Sequence, residues 1–102
     1  MDIALTLKLQ GNREAFESIV SRAAEANRMI VVWDTSRASA VFLSTFAMGK
    51  QRFGSLSLRP LSRGRTNMIL TQSRKEEEAG EEEMRRFLQV LFVELERNGF
   101  LT

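Results

Sequence analysis

Histidine, cysteine and tyrosine are absent from the 102 residues, and proline and tryptophan occur once each. The chain therefore lacks the commonest general base, the best soft nucleophile and the usual phenolic acid. A zinc ion would have to be held by carboxylates alone, although zinc sites are built chiefly from nitrogen and sulfur ligands. These gaps argue against an enzyme, so no catalytic residue, cofactor or metal is assigned. Without cysteine there is no disulfide framework, which fits a reducing cytoplasmic setting. No run of about 18 or more apolar residues exists, so no membrane-spanning segment is expected. The opening MDIALTLKLQ carries an acid directly after Met1 and alternates, unlike a secretory leader.

What is present fits one soluble domain over residues 1–102. Apolar residues make up 43% and charged residues 27%, ordinary values for a globular chain. A chain of this length buries roughly 65% of its unfolded surface.

Ile3, Leu5, Leu7 and Leu9 alternate with Ala4, Thr6, Lys8 and Gln10, which predicts a half-buried strand. Gly11 ends it, and Asn12 stands at the N-cap of a helix with Phe16, Ile19, Val20, Ala23 and Ala26 on one side. That helix ends near Asn27. MIVVWD reads as a second strand, DTSR as a turn and ASAVFLSTF as a third strand. Met48-Gly49-Lys50 turns the chain into RFGSLSLRP, a fourth strand with Pro60 at its end, since a residue with no amide proton belongs at a strand terminus or an edge. SRGR is a turn and TNMILTQ a fifth strand. With Arg63-Gly64-Arg65 as a three-residue loop, Leu56 and Leu58 share a face with Met68 and Leu70. Phe53, Ser55, Ser57, Arg59, Ile69 and Thr71 then share the other.

Ser73 with Glu76 three residues later forms a capping-box pattern. Met84, Phe87, Leu88, Leu91 and Leu95 make the apolar stripe of a long last helix, which starts at this box or just after Gly80. Asn98-Gly99 stops it, with Phe100 placed to fold back on Leu95. The expected fold is α+β in the order β-α-β-β-β-β-α: a five-stranded antiparallel sheet with two helices packed on one face.

This order, with a short first helix and a long last one, resembles the small α+β fold of one repeat of the TATA-binding protein. LSLRPLSRGRTNMILTQS followed by EEEMRRFLQVLFVELERN is also similar to the last hairpin and gripping helix of START-like helix-grip domains. RMIVVWDTSRASAVFLST resembles the middle hairpin of small bacterial domains with this topology. The likeness lies in element order and hydrophobic pattern, so it implies a fold and carries over no functional residue.

Charge is divided along the chain. Residues 28–75 hold nine basic residues against Asp34 alone, whereas residues 76–102 hold eight glutamates against three arginines. Such a dipolar distribution points to an anionic partner for the sheet region. The primary reading is a non-catalytic binding module that contacts nucleic acid or another polyanion. Lys8, Arg52, Arg59, Arg63 and Arg65 would meet the anion, with Ser55, Ser57 and Thr71 beside them. Trp33, Phe53 and Ile69 would supply apolar contact.

Two helices cannot cover both sheet faces. Strand three has Val41 and Leu43 on one side and Phe42 and Phe46 on the other, and strand two sets Val31 and Trp33 against Ile30 and Val32. Some of these side chains are left for another subunit, so a homodimer is expected. The alternatives are START-like binding of a small hydrophobic ligand, lined by Met48, Met68, Met84 and Phe87, or a protein–protein interaction domain. These residues also suit a plain core. Glu76–Glu78 and Glu81–Glu83 carry the oxygen ligands that a divalent cation takes, but a helix N-terminus attracts acids without one.

Overall fold

Five strands and two helices follow one another in the order expected from the sequence. The computed structural model describes residues 1–9, 11–45 and 51–101. The elements are β1 (Asp2–Lys8), α1 (Arg13–Ala26), β2 (Met29–Trp33), β3 (Ser39–Ser44), β4 (Arg52–Pro60), β5 (Arg65–Thr71) and α2 (Arg74–Arg97). All neighbouring strands are antiparallel, in the spatial order β1-β5-β4-β3-β2. The first strand therefore pairs with the last, and β1 and β2 form the two edges. Phe46 and the turn Met48-Gly49-Lys50 lie outside the described residues, as do Gln10 and Thr102.

Alternation decides which face is buried. Leu7 on β1, Met29 on β2, Ala40 and Phe42 on β3, Leu56 and Leu58 on β4, and Met68 and Leu70 on β5 point toward the helices. Phe16, Ile19, Val20 and Ala23 of α1 and Met84, Phe87, Leu91 and Leu95 of α2 close over them, in one core. Phe42 and Phe87 meet with ring centroids 4.8 Å apart, joining sheet to α2. Phe16 meets Trp33 and Phe100 edge-on at 6.5 and 6.2 Å. Both helices cover the same face.

The ends of α2 are built as its sequence suggests. The Glu76 N–H donates to Ser73 Oγ at 3.3 Å, and the Ser73 N–H donates to Glu76 Oε1 at 2.7 Å. Burial pushes the Glu76 carboxyl up, but the Ser73 N–H, the Ser73 hydroxyl and the Arg52 guanidinium together outweigh it, and the group sits below its ordinary value. At the other end, the Phe100 N–H donates to the Leu95 carbonyl and the Gly99 N–H to the Glu96 carbonyl, the paired bonds of a Schellman end. At α1, by contrast, Asn12 stands at the N-cap but its side chain makes no capping bond.

Two features depart from the sequence reading. The β4–β5 register places Leu56 opposite Leu70 and Leu58 opposite Met68, two residues away from the register of a three-residue loop. Facing is unchanged, because a shift of two keeps every side chain on its side. The turn itself has two central residues, Arg63 and Gly64, both with positive φ, the primed geometry that matches strand twist. Leu61 and Ser62 both oppose Arg65, so a bulge absorbs the extra residue.

The second departure is Phe53. The β3–β4 register slips between Phe42 and Leu43, whose partners are Gly54 and Arg52. The skipped residue, Phe53, turns inward to 6% exposure instead of sharing the outer face with Ser55. Gly80 decides between the two expected starts: α2 begins at Arg74, at the capping box, and runs through this residue, which has non-helical dihedrals and kinks the helix. Buried Gln72 ties the two irregularities together, donating from Nε2 to the Phe53 carbonyl at 2.7 Å and the Gly80 carbonyl at 3.4 Å. Among the described residues no helix is long and apolar enough to cross a membrane.

Candidate anion-binding interface

The sheet face away from the helices is open. Its outward side chains follow from pairing: Lys8 opposite Arg65, Thr6 opposite Asn67 and Ala4 opposite Ile69 on β1–β5, then Asn67 opposite Arg59 and Ile69 opposite Ser57 on β5–β4. Ser57 faces Ser39 on β3, and Val41 faces Val32 on β2. The face is therefore graded. One corner is cationic, the middle is small and polar, and the β2–β3 side is aliphatic.

The cationic corner contains Lys8, Arg59, Arg63 and Arg65, all exposed. Lys8 and Arg65 occupy directly opposed cross-strand positions, where like charges repel. Among the described residues none of the four is paired with a carboxylate, whereas Arg13, Arg37, Arg52, Arg74, Arg86 and Arg97 all are. Arg63 occupies a left-handed turn position (φ 62°) where glycine or asparagine is favoured. A long cationic side chain is thus held at the hairpin tip against local preference, and such an outlier is a pointer to function.

The same end of the sheet receives the start of α1. Leu9, Arg13, Pro60, Leu61, Gly64, Arg65 and Thr66 line a shallow depression there. The helix dipole adds positive potential at this end. The sequence reading did not include Arg13, which lines this depression, or Arg37, which joins it on Glu17. Arg13 also lies 5.2 Å over the Trp33 ring. A signal existed for Arg37 only in hindsight, since the DTSR turn puts it in a left-handed position (φ 58°). Asp34, the lone acid of this stretch, accepts from the Ser39 hydroxyl at 2.9 Å and the Ser36 hydroxyl at 2.9 Å. These bonds, the Ser39 hydroxyl first, hold its carboxyl below the ordinary range.

The expected contact set is therefore split. Lys8, Arg59, Arg63 and Arg65 come together, and Ile69 lies on the same open face, half-buried between Ala4 and Ser57. Arg52 does not join them. It stands at the far end of β4, about 23 Å from Arg59 at strand spacing, and pairs with Glu76 at 2.6 Å. Trp33 and Phe53 lie behind the sheet: Trp33 because its parity matches buried Met29, and Phe53 because of the bulge. Among the described residues no aromatic side chain is on the open face. Met68, Met84 and Phe87 are at most 1% exposed within the core, and Met48 lies outside the described residues. No group of three or more acidic side chains among the described residues is arranged to hold a metal ion.

Replacing Arg63 by asparagine is expected to raise the melting temperature by a few degrees. Relief of the left-handed position is worth roughly 0.5–1 kcal/mol. The same variant should elute earlier from heparin, and a thermal melt beside a salt-gradient column reads both effects. The chain matches no protein-family model, and no curated protein matches it in sequence.

Proposed function

We propose that this chain is a non-catalytic cytoplasmic binding module whose cationic sheet corner contacts a polyanion, nucleic acid first. The observation that carries this reading is the Lys8–Arg65 pair. Two exposed cations face each other across β1 and β5, with Arg59 and Arg63 beside them and no carboxylate among the described residues to separate them. An anion between them would convert a repulsive arrangement into an attractive one.

The rest of the face suits backbone contact. Ser55, Ser57 and Thr71 are small, so a flat backbone approaches closely, and their hydroxyls donate to phosphate. Without an aromatic on the described open face, the stacking on which single-strand binders rely is missing. A duplex is therefore the favoured nucleic acid. The resemblance to one TATA-binding protein repeat contributes as analogy alone. The hydrophobic-ligand alternative has less support. A ligand pocket takes about 300 Å³ or more, whereas Met68, Met84 and Phe87 are fully buried members of the one core.

Fluorescence anisotropy with a short labelled duplex tests the proposal. Three or four phosphate contacts predict that affinity falls roughly 10²-fold between about 50 and 200 mM salt. Duplex should bind at least as well as single strand of the same sequence. No binding at the lower salt, or binding indifferent to salt, would remove the reading.

A further inference from the structure

The two edges of the sheet differ. Along β1 the chain's own C-terminal segment closes part of the edge: the Lys8 N–H donates to the Phe100 carbonyl at 2.8 Å, and Leu7 bridges Leu101. Charged Asp2 and Lys8 mark its two ends. Among the described residues nothing comparable covers the β2 edge. Its five residues, Met29 to Trp33, include no charge, no proline and no bulge, the devices by which edges are normally blunted.

Hydrogen-bond parity defines what this edge offers. The Asp34 N–H donates to the Ser39 carbonyl and the Thr45 N–H to the Arg28 carbonyl, so Arg28, Ile30, Val32 and Asp34 bond inward to β3. Met29, Val31 and Trp33 accordingly turn their N–H and C=O groups out of the sheet. On the open face, Ile30 and Val32 remain 44% and 46% exposed, next to Leu43 and Val41 across the ladder.

We infer that β2 is a self-association edge, pairing antiparallel with β2 of a second copy about a two-fold axis at Val31. The pattern is self-complementary. Val31 meets Val31 of the partner subunit, and Met29 meets Trp33 of the partner subunit, giving about six backbone hydrogen bonds. Ile30 comes opposite Val32 of the partner subunit, so two aliphatic blocks become one strip on the open face. A slip of one residue would lose the outward hydrogen-bond match.

A five-residue edge about 17 Å long gives an interface at the small end, below about 1,200 Å² in total. Interfaces of this size are of the weak, transient kind. The inference stands on the β2 edge alone and is independent of the polyanion reading. It adds one consequence, because a two-fold perpendicular to the sheet sets both open faces on the same side. Two cationic corners would then bear on one long partner and gain avidity.

Sedimentation equilibrium from about 10 μM to 1 mM tests it. The unaltered chain should show a monomer–dimer equilibrium, and exchange of the Met29, Val31 and Trp33 amides should slow as concentration rises. Val32→Lys, on an exposed position, should weaken the dimer at least tenfold. Val31→Pro removes an outward N–H without costing a bond to β3 and should abolish it. Val93→Lys, at an exposed site on α2, should leave it unchanged. Circular dichroism verifies that each variant is folded. A chain that stays monomeric to 1 mM overturns the inference, whatever else binds the edge, and so does a dimer that ignores both β2 substitutions.

Discussion

Gly80→Ala is expected to lower the melting temperature, by up to roughly 15 °C, although alanine is the better helix former. A Cβ at this position would lie 2.5 Å from two atoms of the Phe53 ring and 2.9 Å from a third. Phe53 cannot simply swing away, because it is buried at 6% exposure by the β3–β4 bulge. Overpacking of this kind costs about 1–3 kcal/mol, against about 1 kcal/mol gained in helix propensity. Each net kcal/mol shifts the midpoint of a chain this size by about 4–8 °C. The cause can be isolated by a double-mutant cycle with Phe53→Ala. The single Phe53 change should be severe, at about 3–5 kcal/mol. In its background Gly80→Ala should become neutral or stabilising, a coupling of about 1 kcal/mol or more. If Gly80→Ala alone raised the midpoint, the kink would be incidental and the contact with Phe53 would not define it.

That contact marks the limit of what the sequence could show. Alternation in β1, the apolar stripe of α2, the Ser73–Glu76 box and the Asn98-Gly99 stop are local signals, each written within a few neighbouring residues. They specify element order, the covered face and most of the core. Gly80 and Phe53 are 27 positions apart in sequence, and neither carries a sign that it needs the other. The bulge that inverts Phe53 depends on how β3 and β4 align, which no single strand encodes. Trp33 shows a milder form of the same problem. Its strand is apolar on both parities, so only Met29 and the position of α1 decide that Trp33 faces inward. The cationic corner was legible as composition but not as a place. Five basic positions were expected to act together, and strand length alone separates Arg52 from the other four. Glu76, a helix-capping residue by sequence, proves to be the acid that neutralises it.

Substituting Arg59 and Arg65 together by glutamate is expected to reduce duplex affinity by more than 10²-fold at about 50 mM salt, since each lost phosphate contact is worth roughly tenfold there. Loss of binding alone would be ambiguous, because a damaged fold also fails to bind. The geometry makes the stability effect run the other way. Arg65 lies directly across from Lys8, so Arg65→Glu replaces a like-charge pair with an opposite-charge pair, favourable by about 0.2–1 kcal/mol. The double variant should melt at or above the temperature of the unaltered chain while binding far more weakly. A control with the same change in net charge, Arg22→Glu with Arg85→Glu, alters exposed positions on the two helices and should shift affinity only a few-fold through the overall field. Equal losses in the two double variants would mean that net charge, rather than the sheet corner, governs binding. A specific loss with preserved stability would mean that Lys8, Arg59 and Arg65 hold their mutual repulsion in the free protein for the sake of the anion that relieves it.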